Sequence, residues 1–178
     1  MSNETAYLSR AKYDAYRAQL EYMEGEGSAK LAELLALSPG SGMGRPLDLP
    51  IHDLAREFRA ELAKINARVK SAVIIEDYVQ ALQDKKCVDI GATVTVRDLD
   101  YDDEFTYTIV GSDEVDPQQG RISYLSPLGQ ALLGKVAGER VRLNFNNAEF
   151  LIVNVDYRPL DFKYEPLDWK HRLDNMKV

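Results

Sequence analysis

A chain of 178 residues and 20.1 kDa, 45% hydrophobic and 29% charged, has the material for one or two small folded domains and excludes a fibrous or fully disordered protein. Its net charge is -7. Acids and bases balance over residues 1–75, so the negative excess lies beyond them, which argues against general duplex binding, a function that needs clustered Lys and Arg. No apolar run approaches the roughly 20 residues that cross a bilayer, and the opening MSNETAYLSR lacks the apolar core of a secretory signal. A cytoplasmic location without membrane contact is the expectation. Cys87 is the single cysteine and reads as a small half-buried hydrophobe rather than a nucleophile.

The first periodic stretch runs from Leu8 to Leu37. Tyr13, Tyr16, Leu20, Met23, Gly27, Lys30, Leu34 and Leu37 recur at steps of three and four, one seam of a helix. Gly25 and Gly27 weaken its middle, because each glycine costs about 1 kcal/mol relative to alanine, and a local fray or bend is expected there. Residues 38–50, SPGSGMGRPLDLP, are rich in turn formers and predict a hairpin tip. Beyond it Ile51, Leu54, Phe58, Leu62, Ile65, Val69 and Val73 form a second apolar stripe, with Pro50 at its start, where a missing N–H costs nothing. Two such seams predict an antiparallel helical hairpin over residues 1–78, monomeric by preference, with a dimerising coiled coil as the alternative. Arg56, Arg59, Lys64, Arg68 and Lys70 outnumber the acids on the second stretch and offer a local basic stripe toward RNA or an acidic partner, against the plainer reading of a solvated face. Residues 71–87 connect onward as a fixed joint or a hinge.

After Lys86 the period changes from 3.6 to 2. Thr93–Arg97 and Glu104–Val110 alternate as strands around the acidic turn DLDYDD, and further strands are expected at Arg121–Leu125, Arg140–Phe145 and Glu149–Val155. SPLGQALLGK reads as a short helix with a Ser-Pro start, an apolar face at Leu128, Leu132 and Leu133, and Gly134 as its stop. This predicts an α+β chain whose second domain spans 79–157. The tail 158–178 carries Pro159, Phe162, Tyr164, Pro166 and Trp169, too aromatic for plain disorder, and is expected to dock on the domain or reach a partner.

Several chemistries lack material. Asp98, Asp100 and Asp102 imitate the opening of a calcium loop, but the sixth position has no glycine and Ile109 stands at the twelfth, so a solvated turn is expected. His52 and His171 are the only histidines and have no cysteine companions, which leaves little for a zinc site or a Ser-His-Asp triad. Tyr107, Phe145 and Phe150 form no recognisable prolyl pocket, so prolyl isomerase activity stands only as an alternative suggested by fold type.

The segment GATVTVRDLDYDDEFTYTIVGSDEVDPQQGRISYLSPLGQALLGKVAGERV, from Gly91 to Val141, resembles the C-terminal domain of the bacterial GreA/GreB transcript-cleavage factors. A G-x-x-V-x-V strand, a Y-x-I-V-G strand, an acidic D-E-x-D turn and I-S-x-x-S-P-hydrophobic-x-x-A-L-L-G-K follow in the family's order. The resemblance implies an N-terminal coiled coil with an FKBP-like antiparallel β-rich domain, docking of that domain at the rim of the RNA polymerase secondary channel, and entry of the coiled coil into the channel. Carried over by position, docking residues would be Asp116, Ser123, Ser126, Pro127 and Leu128; helix start and core packing are the plainer roles of Pro127 and Leu128. The basic stripe at Arg56, Arg59, Lys64 and Arg68 would meet nascent RNA or the channel wall.

The family's tip carries a D-x-x-E pair that helps hold a second magnesium ion in the polymerase active site and activates water for RNA cleavage. Counting back without gaps from SAVIIED, those positions fall on Ser41 and Gly44, in a tip that also holds Arg45 and Asp48. Serine and glycine offer no carboxylate to a hard cation. The expectation is therefore an accessory factor, not itself an enzyme and with no cofactor of its own, whose tip has lost cleavage stimulation. The alternative is an active cleavage factor sharing Mg2+ with the polymerase through Asp48, Asp53 or Glu57.

Overall fold

The computed structural model describes residues 5–37, 50–80, 86–144, 147–160, 162, 164 and 167–176. It divides into two compact units, Met1–Arg10 with Ala72–Phe162, and Ala11–Ser71 with Lys163–Val178. The fold class is α+β, as the change of period requires.

In the helical unit, α1 (Arg10–Tyr22) passes through a π-helical turn, Met23–Gly27, into α2 (Ser28–Leu37), and α3 (Pro50–Lys70) forms the second arm. The expected fray at Gly25 and Gly27 is instead this wider turn. A π turn holds one residue more than an α turn, and such bulges sit inside otherwise continuous helices. The Ser28 hydroxyl donates to the Met23 carbonyl oxygen at 2.6 Å, covering a group the widened turn would leave open. A Cβ on Gly27 would stand 3.2 Å from Phe58 Cζ and 3.1 Å from a Tyr22 ring carbon, so the missing side chain is what lets α3 approach. The buried positions of the first arm are Lys12, Tyr16, Gln19, Met23, Gly27, Leu31 and Leu34. This corrects the expected seam at both ends, where Leu37 is 66% exposed and Tyr13 and Lys30 are only half-buried. Hydropathy could not place Lys12 inward, because what permits it is two aromatic faces: its ammonium lies 3.3 Å from the Tyr164 ring centroid and 5.0 Å from that of Tyr16.

The second arm follows its stripe, burying Ile51, Leu54, Phe58 and Ile65, but it stops at Lys70. Val73, expected on the helix, belongs to a strand, β2 (Ala72–Ile74), which pairs in parallel with β1 (Ala6–Leu8). Three β-branched or small residues after the Ser71 turn suit a ladder better than another helical turn. Ile75–Gln80 then forms α4.

The sheet unit continues through β3 (Thr93–Asp98), β4 (Glu104–Val110), β5 (Arg121–Ser123), α5 (Pro127–Leu132), β6 (Arg140–Arg142) and β7 (Glu149–Asp156). The order is β5-β4-β3-β7-β6. All neighbours are antiparallel except β4 and β5, so the sheet is mixed rather than wholly antiparallel; the 3-10 turns at 112–114 and 117–119 carry the chain back before β5 begins. Period-2 alternation turns Val94, Val96, Ile109 and Ile152 inward, where Leu132 of α5 and Val141 join them in one cluster. Tyr107 and Phe150 pack with that cluster, so two of the three rings weighed for a prolyl pocket fill core space, and Phe145 lies outside the described residues.

Two side-chain systems tie the N-terminal strand to the sheet. Buried Glu114 accepts from the Ser9 backbone N–H at 2.7 Å and from its hydroxyl, while the Tyr7 ring meets Tyr124 and Tyr78 edge to face at 5.4 and 5.9 Å. Nearby, the Tyr78 hydroxyl donates to Asp89 at 3.0 Å and the Tyr157 hydroxyl to the Cys87 carbonyl at 2.9 Å. Burial, and then the Asp89 carboxylate, push both phenols up to about 12 from 10.0. A phenol harder to ionise when folded stabilises the protein below the ordinary tyrosine value. That contribution is lost as pH rises through the raised one. Denaturant stability should therefore fall between about pH 10 and 12, with Tyr78→Phe flattening the fall; equal slopes in both proteins would contradict this.

Candidate functional site

The residues singled out for docking come together in the sheet unit. Asp116 caps the 3-10 turn, accepting from the Gln118 and Gln119 backbone N–H groups at 3.1 and 3.3 Å, and it pairs with Arg121 at 3.0 Å. Arg121 in turn lies 4.4 Å from the Phe162 ring centroid. The Ser123 carbonyl accepts from the Ser126 hydroxyl at 2.7 Å, and the Ser126 oxygen accepts from the Gly129 N–H at 3.0 Å, an N-cap for α5. Pro127 occupies the first helical position, where no donor is lost, and stays exposed, while Leu128 leans on the core cluster. Each of these residues thus has a local structural role, and the outward surface they build is Pro127 with its neighbours.

Sequence reasoning missed three parts of that surface. Val115 is 43% and Leu125 44% exposed, two apolar side chains beside the cap, and neither follows a period that would mark it. Next to Pro127, between α5 and β6, lies a groove of about 580 Å³ whose lining includes Lys135, Arg140 and Arg142. Lys135 pairs with Glu139 at 3.3 Å and Arg142 with Glu149 at 3.9 Å. The signal was present, since Arg140 and Arg142 alternate with buried Val141 along β6.

The tip residues Ser41, Gly44, Arg45 and Asp48 lie outside the described residues. The remaining carboxylates proposed for metal chemistry are on α3, and each faces an arginine: Asp53 pairs with Arg56 and Glu57 with Arg172. Among the described residues no group of three His, Cys, Asp or Glu is arranged to hold a metal ion. The basic stripe is laced in the same way, Arg56 to Asp53 and Lys64 to Glu61 at 3.6 Å, with Arg59 exposed. In the β3–β4 turn, Asp98 is buried and accepts from the Asp100 and Tyr101 N–H groups at 2.8 and 3.3 Å, shaping the turn. His52 and His171 belong to different elements, α3 and the helix Trp169–Asp174, and no helix among the described residues is long and apolar enough to cross a membrane.

Residues 83–157 match the family model described as transcription elongation factor, GreA/GreB, C-terminal. The transcription elongation factor GreA of Clostridioides difficile (strain 630) is 33% identical over 159 residues, which covers 86% of this chain and 97% of that one. GreA of Caldanaerobacter subterraneus subsp. tengcongensis is 36% identical over 127 residues, 69% of this chain and 78% of its own. Among solved structures, the GreA factor homolog 1 (Gfh1) of Thermus thermophilus aligns over 86% of this chain and 99% of its own at 23% identity, with a TM-score of 0.37. With identity above 30% along nearly the whole of a curated relative, the chain belongs to the GreA/GreB family of transcription elongation factors.

Proposed function

We propose that this protein is an accessory factor that binds bacterial RNA polymerase through the Asp116–Leu128 surface, inserts its hairpin into the secondary channel, and regulates elongation without stimulating transcript cleavage. The observation that carries the last clause is the sequence of the tip. Counted back without gaps from SAVIIED, the family's two acidic positions fall on Ser41 and Gly44, which offer no carboxylate to a hard cation. A channel occupant without second-metal carboxylates acts by steric means, on pausing, backtracking or nucleotide entry.

The exposed Leu125 beside the α5 cap supports the docking part of the reading, since protein interfaces place an apolar core inside a polar rim. Leu125→Asp changes a side chain that is 44% exposed and is expected to leave the thermal melt unchanged. Its affinity for the cognate core polymerase should drop by about tenfold or more, as for loss of an interface anchor. Unchanged affinity, measured by titration of labelled protein, would remove this surface from the account.

A further inference from the structure

Of the C-terminal tail, expected to dock on the sheet domain or reach a partner, the part up to Phe162 belongs to the sheet unit and the part from Tyr164 onward packs instead on the hairpin. Asp168 caps a six-residue helix, α6 (Trp169–Asp174), by accepting from the His171 N–H at 2.9 Å. Trp169 is 2% and Leu173 0% exposed. The Trp169 ring meets Phe58 of α3 edge to face at 5.2 Å, and Arg172 stacks over that indole at 4.3 Å while pairing with Glu57. Further back, Tyr164 meets Tyr16 edge to face at 5.7 Å and covers Lys12. The segment therefore straps the hairpin at its π turn and at the start of α1. All of it lies beyond residue 157, where the family match ends.

We infer that this segment is a releasable clasp that holds the hairpin back from full insertion, an inference that rests on the channel reading above. Two features of the segment carry it. The first is width. An α-helix with its side chains is about 10–12 Å across, so α6 widens the two-helix arm by about that much where it sits. From Pro50 to Phe58 only about 12 Å of α3 lies tipward of the clasp, at 1.5 Å per residue. The second is the quality of the closure. Six residues do not make a stable helix alone, so α6 forms when docked and melts when released. Its ion pair to Glu57 is largely exposed, and an exposed pair contributes little. The Trp169 indole N–H is buried with no partner among the described residues, and so are both amide atoms of Gln19, which lies in register between Tyr16 and Met23. Each unmatched group lowers the cost of opening. The clasp is thus a two-state element closed in the free protein, and a partner that takes only the open hairpin binds with its affinity reduced by the open fraction.

Trp169 is the only tryptophan and reports the clasp directly. The full-length chain, Arg172→Glu and the double variant Arg172→Glu/Leu173→Ala would be compared in emission maximum, iodide quenching and affinity for the cognate core RNA polymerase. The wild type is expected to emit as a buried indole, and the variants to shift red and quench while the sheet unit's circular dichroism stays. Their affinity should rise about tenfold, as for removal of a closed state populated at nine parts in ten. Opened variants that bind equally or more weakly would overturn the inference, since the strap would then be a brace the hairpin needs. An indole that stays buried in both variants would overturn it too, because these contacts would not be what closes it. If no form of the protein binds polymerase, the channel reading falls and takes the clasp's role with it, an outcome distinct from binding that ignores the clasp.

Discussion

Phe58→Ala should lower the stability of the helical unit by about 3–5 kcal/mol, the range for removing a buried phenyl ring. Phe58 is 1% exposed and stands where three parts of the unit converge: α3, which carries it, the π turn, where a Cβ added to Gly27 would stand 3.2 Å from its ring, and the C-terminal helix with Trp169. Alanine leaves a cavity that these neighbours cannot close together, because Gly27 has no side chain to move in and Trp169 loses the edge it packs against. The loss should appear as a lower denaturation midpoint and a red shift of Trp169 emission at temperatures where the sheet unit is still folded. A change below about 1 kcal/mol, the level of a surface substitution, would mean that the ring is not a keystone.

Gly111→Ala is the second large effect, and it acts on the sheet unit. A Cβ at residue 111 would lie 1.9 Å from the Tyr7 carbonyl oxygen and 2.9 Å from its carbonyl carbon. Neither atom is the end of a flexible side chain, so β1 itself would have to retreat by more than an ångström. That would disturb the register of Ala6 with Ala72 and the Ser9 contacts to Glu114. Overpacking against backbone is expected to cost about 3 kcal/mol, the upper part of its usual range. Hydrogen exchange should show faster exchange of residues 6–9 and 72–74. Protection equal to wild type would contradict the packing described for β1.

These two sites also measure what the sequence could disclose. The hairpin and the strands from Thr93 onward were legible because each repeats a period: the α3 stripe, the alternation of β3 and β4, and the Ser-Pro start of α5. The strands β1 and β2 were not, because three residues are too few to display a period, and AYL and AVI read equally well as the ends of helical seams. The inward face of the first arm was misread for a different reason. Lys12 and Gln19 are polar, and the nearer of the lysine's two aromatic covers is the tail's Tyr164, more than a hundred residues away in sequence. Of the candidate site, Asp116, Ser126 and Pro127 were found through a motif, and the structure explains their types by capping. Leu125 and Val115 carried no motif, and the bases along β6 needed the fold to bring them beside Pro127.

The same limit applies to the tail. Its aromatic content marked it as more than a linker, but an indole that packs against Phe58 cannot be told by composition from one that waits for a partner. What decided it was burial, with Trp169 and Leu173 both inside the helical unit. A clasp of that kind matters only if the hairpin it covers has somewhere to go.

The central claim is that this GreA/GreB family member binds RNA polymerase without supplying cleavage carboxylates. RNA cleavage in stalled, backtracked elongation complexes of the cognate polymerase, with magnesium and with binding monitored in the same samples, tests it most directly. Binding with the intrinsic cleavage rate unchanged is the predicted result. Binding with accelerated cleavage, lost on alanine substitution of Asp48, Asp53 or Glu57, would contradict it and return those acids to the metal site.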